Sequence, residues 1–250
     1  MYYIGIDIGS TASKVVVLNE KKDKVLYKYV ISSGWNSKET GRKILKDLGE
    51  VGYSKNNSHI TATGYGRISV DFADKVITEI TAHGKGAHFL GSSDATVIDI
   101  GGQDTKIIVQ NDIRAIDFIM NDKCSAGTGK FLELMANRLG LDLGEFFDFA
   151  RRSEQNIKLS STCTVFAESE IISLMGKGTK REDIARAVIN SIVTKVCKLA
   201  ERKNVADKYF LTGGFSNNEY IIDALSDMLH ARVSSHADGR FAGAIGAALL

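Results

Sequence analysis

The sequence predicts an α/β fold made of two similar halves with a ligand cleft between them, and three observations support this prediction. Residues 7–17, DIGSTASKVVV, return as residues 99–109, DIGGQDTKIIV, at a constant offset of 92. Each copy reads as an aliphatic strand, a turn of small residues and a second aliphatic strand, which is the pattern of a β-hairpin. Long amphipathic stretches, of which residues 180–203 are the clearest, predict helices around these strands.

Composition and charge narrow the class of protein. The chain has 250 residues, of which 44% are apolar and 25% charged, as in ordinary globular proteins. A net charge of +2 gives no reason to expect nucleic acid or a membrane surface as a partner. No apolar run approaches the ~18 residues of a membrane span, and the first residues lack the basic segment of a secretion signal. We expect a cytoplasmic protein, in which three cysteines favour packing or metal binding over disulfides.

The other elements follow from periodicity and turn residues. The first half is expected to contain strands at 3–7, 14–18, 24–31 and 58–64, and helices at 37–50, capped by Ser37, and 79–90. The second half is expected to contain the repeated hairpin, a strand at 112–118, helices after Cys124 and Cys163 and at 143–152 and 180–203, a strand from Tyr209, and a helix capped by Asn217 or Asn218. Residues 1–91 and 92–238 are the two predicted domains, and a small-residue helix at 239–250 is expected to return to the first.

The repeated turns predict a phosphate site. Their small residues leave backbone N–H groups open to an anion, and Asp7 and Asp99 stand at the same place in both copies. Carboxylates so placed suit a hydrated Mg²⁺ that accompanies a phosphate chain. The double glycine at 213–214 allows the close backbone approach to a flat ring that nucleoside binding requires.

Two cysteines stand before amphipathic helical patterns. The apolar face after Cys124 is expected to comprise Phe131, Leu134, Met135 and Leu139, and the one after Cys163 to comprise Phe166, Ile171 and Leu174. A helix N-terminus favours a thiolate, but two thiolates fall short of the four ligands that zinc and iron–sulfur sites usually take. Either a second copy of the chain supplies the other two ligands, or both cysteines are small core residues, as Cys197 is expected to be.

Three glycine elements occur in a fixed order: DIGST at 7–11, DIGGQD at 99–104 and LTGGF at 211–215. They resemble the two phosphate elements and the adenosine element of the acetate kinase, actin, hexokinase and heat-shock chaperone superfamily. The stretches KCSAGTGKF at 123–131 and SSTCTVFAESE at 160–170 resemble those of the activators of 2-hydroxyacyl-CoA dehydratases, ATPases of the BadF/BadG/BcrA/BcrD type. The resemblance implies duplicated ribonuclease H-like, actin-like ATPase domains with an ATP cleft between them.

The resemblance also implies cofactors and partners. It implies a homodimer in which Cys124 and Cys163 of each chain hold one shared [4Fe-4S] cluster. ATP or ADP with Mg²⁺ would occupy the cleft, and ATP hydrolysis would drive transfer of one electron to a 2-hydroxyacyl-CoA dehydratase. The electron would come from a ferredoxin or a flavodoxin.

The site residues are assigned by matching these motifs. Asp7 and Asp99 hold Mg²⁺ through water, and Asp99 also belongs to the catalytic set. Glu79, in EITAH, stands where chaperone-like members carry E-P-T-A, so it is the candidate for orienting the attacking water, with Gln103 in support; an ordinary helix-start carboxylate is the alternative. The nucleotide-binding residues are expected to be Gly9, Ser10, Thr11, Ala12, Ser13, Lys14, Gly101, Gly102, Gln103, Asp104, Thr212, Gly213, Gly214, Asn217 and Gly243. Lys14 and Lys106 recur in both hairpins; a strand lysine is more often solvated, and a phosphate contact is the alternative for both.

Two other functions use the same turns. A small-molecule kinase of the sugar kinase type would need a second, sugar-binding set of residues, and the sequence offers none that we can identify. An actin-like scaffold would need filament surfaces, which no motif marks. Phosphorylation of a sugar, or ATP-dependent polymerisation, would distinguish these functions from electron transfer.

Overall fold

The computed structural model describes residues 1–92, 95–121, 128–160, 164–203 and 206–250. The first half contains β1 (Tyr2–Ile8), β2 (Ala12–Leu18), β3 (Val25–Ser32), α1 (Ser37–Glu50), β4 (Ser58–Thr63), β5 (Lys75–Val76) and α2 (Glu79–Phe89). The second half contains β6 (Thr96–Ile100), β7 (Thr105–Asn111), β8 (Arg114–Asn121), α3 (Gly129–Arg138), α4 (Leu143–Arg151), α5 (Thr164–Gly176), α6 (Arg181–Glu201), β9 (Lys208–Gly213), α7 (Glu219–Leu229) and β10 (Arg232–Ser235). The last helix, α8 (Ala242–Leu249), packs on the sheet of the first half. Cys124 and Cys163 lie outside the described residues.

The strands form two sheets of the same topology. One sheet has the order β3-β2-β1-β4-β5, and the other has the order β8-β7-β6-β9-β10. In both, the first three strands are antiparallel and the next two join them in parallel. Asp7 pairs with Lys14 in the first hairpin and Asp99 with Lys106 in the second, so the two copies share one register. The predicted duplication and its ribonuclease H-like architecture are confirmed.

The duplication extends beyond the hairpins. Thr63 of β4 lies opposite Asp7, and Thr212 of β9 lies opposite Asp99. The next residues, Gly64 and Gly213, have φ values of +87° and +91°, a conformation that favours glycine. A Cβ on either would collide with the carbonyl oxygen that ends the neighbouring strand. Only the Thr-Gly pair is shared between these segments, which is too little for the sequence to reveal the copy.

Each sheet has its own packed layer of helices. The apolar stripe predicted for α6 is buried, and Ile184, Val188, Ile192 and Val196 contribute to the core of the second half. Cys197 belongs to the same core, and burial raises the pKa of its thiol to about 12, which confirms a packing role. The helix α8 lies across α2 and β1 so closely that a Cβ on Gly86 or Gly246 would overlap a carbonyl of the other helix.

Some predicted details are wrong. The cap of α1 is Asn36 rather than Ser37, because the Asn36 side chain accepts the Lys38 N–H. Between the two candidates for α7, Asn218 is the cap. In α3 Leu134 is 37% exposed, and in α5 Phe166 is 65% exposed, so neither belongs to the core as predicted. None of the described helices combines the length and apolar character that crossing a bilayer requires.

Candidate active site

A cavity of about 460 Å³ lies between the two sheets, at the ends of β1 and β6. Both repeated turns line it, Gly9 to Ala12 from the first half and Gly101 to Asp104 from the second. The turns approach each other directly, because a Cβ on Gly102 would overlap the Thr11 side chain. The cavity is also lined by Asp7, Lys14, Tyr65, Glu79, His83, Asp99, Lys106, Glu133, Gly213, Gly214, Phe215 and Arg240, among others.

Asp99 is the centre of a buried ionic network. It is 2% exposed, and its carboxylate lies 3.3 Å from Lys106 Nζ and accepts a 2.8 Å hydrogen bond from the Thr212 hydroxyl. Burial alone would raise the pKa of this carboxyl, but its interactions with His83 and Lys106 and the Thr212 bond outweigh burial and bring the pKa to about 2. Asp99 is therefore ionised wherever the protein is folded at ordinary pH.

Lys106 is buried, contrary to the expectation of a solvated strand lysine. It is 3% exposed and lies 2.7 Å from Asp104 and 3.7 Å from Glu79, in addition to Asp99. Burial would lower its pKa, and these three carboxylates raise it instead. Lys14, at the same place in the first hairpin, is half-buried and lines the cavity, and the residue matching Asp104 there is Ala12. Of the two copies, Lys14 is thus the one placed to meet a phosphate.

His83 was not predicted from the sequence. It lies in α2, is 7% exposed, and stands between Asp7 and Asp99, with Nε2 4.0 Å from one carboxylate and Nδ1 3.3 Å from the other. The two aspartates belong to different sheets, so one ring contacts both halves. The feature of the sequence that could have identified His83 is its place in EITAH, four residues after Glu79. A lone histidine in a helix, however, predicts no role by itself.

Glu79 is the first residue of α2, and the Thr78 side chain caps that helix. It lines the cavity, and burial raises the pKa of its carboxyl, an effect that Lys106 opposes. A carboxylate with a raised pKa is a better hydrogen-bond acceptor for a water molecule. This position suits the predicted role of orienting the attacking water.

We therefore expect Glu79→Gln to lower kcat for ATP hydrolysis by roughly 10²-fold, the usual loss when a positioned acid–base group is removed. Nucleotide affinity should stay within about twofold, because the amide keeps the size of the side chain and burial already disfavours the charged form. Single-turnover kinetics and a binding titration on the same preparation separate the two effects. Wild-type turnover in the variant would remove Glu79 from the catalytic set.

Four predicted nucleotide-binding residues do not line the cavity. Ser13 is fully buried in β2 and its hydroxyl bonds that of Ser33, so it supports the turn from behind. The Thr212 hydroxyl is committed to Asp99, and Asn217 donates to the Ala237 carbonyl. Gly243 lies behind the site, where a Cβ would come 2.6 Å from Asp7 Oδ2 and 2.8 Å from His83 Nε2. Its function is to leave room for those two side chains.

The residues present fit a hydrated Mg²⁺ better than a directly chelated one. In the part of the chain that the structure describes, no three His, Cys, Asp or Glu side chains form a group that could chelate a metal. Asp7 and Asp99 both line the cavity, and the buried His83 Nδ1 has no hydrogen-bond partner. Mg²⁺ commonly keeps several waters and takes its remaining ligands from phosphate oxygens. Two carboxylates beside the repeated turns, which can accept hydrogen bonds from those waters, are therefore compatible with such an ion.

Comparison with known proteins finds relatives over the whole length of the chain. The activator of lactoyl-CoA dehydratase of Anaerotignum propionicum is 41% identical over 251 residues, which cover 100% of this chain and 96% of that protein. The (R)-2-hydroxyglutaryl-CoA dehydratase activating ATPase of Acidaminococcus fermentans is 39% identical, with the same coverage. A solved structure of the activator of the 2-hydroxyisocaproyl-CoA dehydratase from Clostridium difficile, with bound ADPNP, superposes with a TM-score of 0.92 at 37% identity and covers 100% of this chain and 93% of its own.

A family model matches almost the whole chain, as the individual relatives do. Residues 4–250 match the BadF/BadG/BcrA/BcrD ATPase family, a range that contains both repeated turns and both halves of the cavity. The chain belongs to the BadF/BadG/BcrA/BcrD ATPase family.

Proposed function

We propose that this ATPase activates a 2-hydroxyacyl-CoA dehydratase by giving it one electron at a time, and that ATP turnover in the cleft drives the transfer. Two relatives that are 39% and 41% identical over the whole chain carry the names of such activators. A ferredoxin or a flavodoxin in the cytoplasm would supply the electron. Mg²⁺, held through water by Asp7 and Asp99, would neutralise phosphate charge during hydrolysis.

One contact in particular supports the coupling of ATP turnover to a distant event. At the start of α3, Gly129 N–H donates to the Gly101 carbonyl at 2.9 Å, and Lys130 N–H donates to the Gly102 carbonyl at 2.9 Å. The second phosphate turn is therefore hydrogen-bonded to the helix that follows the Cys124 stretch. A Cβ on Gly129 would come 3.3 Å from the Gly101 carbonyl oxygen, so the start of α3 packs closely against the turn.

The electron carrier in this proposal is a [4Fe-4S] cluster. Cys124 and Cys163 would supply two thiolates per chain, and the cluster needs four, so it would lie on the two-fold axis of a homodimer. The helix α5 begins at Thr164, the residue after Cys163, and its positive end would favour thiolates and a reduced cluster by ~0.3–1 kcal/mol per helix. Movement of α3 or α5 would change that stabilisation.

The surface of α5 supports a dimer. Val165, Phe166, Ile172 and Met175 are 66%, 65%, 53% and 42% exposed, although they belong to one helix of 13 residues. Val165, Ile172 and Met175 recur at a helical spacing, so they form one apolar face. Exposed apolar patches of this kind mark interaction surfaces, and this one begins two residues after Cys163.

The test is the iron and acid-labile sulfide content of protein purified without oxygen. We expect about two of each per chain, the share of one [4Fe-4S] cluster between two chains, and their loss in Cys124→Ser and in Cys163→Ser. Cys197→Ala is the matched control and should keep both, because that thiol is buried in the core. A protein that hydrolyses ATP but holds no iron, even after reconstitution with iron and sulfide, would disprove the proposal.

A further inference from the structure

We propose that His83 is a positioning residue that holds Asp7 and Asp99 as a pair for the hydrated Mg²⁺ of the bound nucleotide. The proposal rests on the magnesium site proposed above. It adds that the two equivalent carboxylates of the duplicated halves are tied together by one ring, that of His83 in α2, the helix that follows β5.

The geometry is that of one ring between two anions. Nε2 faces Asp7 Oδ2 at 4.0 Å, and Nδ1 faces Asp99 Oδ1 at 3.3 Å. Asp7 and Asp99 are 5% and 2% exposed, so their charges repel each other with little solvent between them. A polar ring between them limits that repulsion and fixes their separation, which is what a hydrated cation shared by both requires.

The two aspartates depend on the ring to different degrees. Asp99 is also held by Lys106 and by the Thr212 hydroxyl. Among the described residues, His83 is the ion-pair partner of Asp7. Loss of the ring should therefore displace Asp7 more than Asp99.

The ring is confined and one of its nitrogens is unsatisfied. The backbone of α8 closes in behind it, since a Cβ on Gly243 would come within 2.8 Å of Nε2. Nδ1 is buried and makes no hydrogen bond, although it lies near Asp99. Buried polar atoms in native proteins are almost always bonded, and an exception calls for a ligand or a water molecule. A water of the Mg²⁺ shell, or a small shift of the Asp99 carboxylate when the nucleotide binds, would satisfy this atom.

The experiment measures Mn²⁺, which replaces Mg²⁺, by the loss of its free electron paramagnetic resonance signal in the presence of a non-hydrolysable ATP analogue. We expect His83→Ala to weaken Mn²⁺ binding by about 10- to 100-fold, the usual effect of removing a group that orients metal-site carboxylates. Affinity for the analogue in EDTA should not change, because His83 supports the carboxylates and not the phosphate turns.

Two conservative variants identify the contact that matters. His83→Asn retains a donor near the Nδ1 position, toward Asp99, and His83→Gln retains one near Nε2, toward Asp7. Because Asp7 depends on the ring more, we expect His83→Gln to recover more Mn²⁺ affinity than His83→Asn. The control is His88→Ala, which removes a second α2 histidine whose Nδ1 is also buried and unbonded but which does not line the cavity.

Wild-type Mn²⁺ affinity in folded His83→Ala, Asn and Gln proteins would overturn the role of His83 while leaving the ATPase function intact. An equal loss in His88→Ala would overturn it as well, because the effect would then come from the helix and not from the ring. If the wild-type protein and analogue bind no Mn²⁺, the magnesium site itself is wrong and the proposal fails with it.

Discussion

Lys106→Met will lower the melting temperature by roughly 6–20 °C, because breaking a buried ion pair costs ~3–5 kcal/mol and a chain of this size loses ~2–4 °C per kcal/mol. Methionine has a similar volume, so the loss is electrostatic. It leaves three carboxylates without the ammonium that lies 2.7 to 3.7 Å from each of them: Asp99, Asp104 and Glu79. Differential scanning calorimetry measures the change.

The duplication supplies the matched control, Lys14→Met. Lys14 occupies the same register opposite Asp7, but it is half-buried and lines the cavity. We expect its removal to leave the melting temperature within about 2 °C, as surface substitutions usually do, and to weaken nucleotide binding. Equal thermal losses in both variants would mean that the two lysines have the same structural role, which would contradict the ion-pair network around Lys106.

The effect of pH follows from the sign of the pKa shifts. The pKa of Asp99 is lowered from 3.8 to about 2, so its contribution to stability is complete above pH 3.8 and is lost as the pH falls through about 2. The pKa of Lys106 is raised, so its contribution is complete below its ordinary 10.5 and is lost only above that. The stability difference between wild type and Lys106→Met should therefore be constant near neutrality and shrink toward pH 3 in urea titrations.

The strands that position the site could be predicted because apolar pattern and turn residues agree over both hairpins. The register that joins Asp7 to Lys14 and Asp99 to Lys106 follows directly from the repeat. In contrast, β5 has two residues and β10 has four, too few for periodicity to identify either. Burial was harder to predict than helicity in α5, because its exposed face is apolar and a sequence pattern does not say whether a partner covers it.

The site was predictable where chemistry repeats and unpredictable where the two copies differ. Asp7 and Asp99 were found because both copies carry them. The ion pairing of the buried Lys106 depends on Asp104, which stands where the first hairpin has Ala12, and on Glu79 from a helix that is distant in sequence. The difference between Asp104 and Ala12 is visible in the sequence. The contact between Glu79 and Lys106 is a tertiary contact, which the periodicity of the sequence cannot predict. The role of His83 depends on the same kind of contact.

Phe166→Asp will convert the proposed dimer to monomers and remove its iron. Phe166 is 65% exposed in the single chain, so the substitution should cost the monomer less than about 0.5 kcal/mol. At a dimer interface the same carboxylate would be buried without a partner, which costs several kcal/mol and is enough to separate two chains at micromolar concentration. Light scattering after gel filtration gives the mass, and iron analysis gives the cluster.

A comparison with Trp35→Asp separates an interface from mere exposure. Trp35 is 99% exposed and precedes α1, outside any helix, whereas Phe166 directly follows Val165, a residue of the exposed apolar face of α5. Single exposed apolar residues are common on monomers and clustered ones are not, so only the α5 variant should change the mass. Because each chain offers two thiolates in the proposed site, the monomer cannot complete a four-thiolate site, yet both repeated turns and the cavity between them belong to the same chain. Nucleotide binding should therefore persist in Phe166→Asp while iron is lost, and a monomer that keeps its iron would mean that one chain suffices for the metal site.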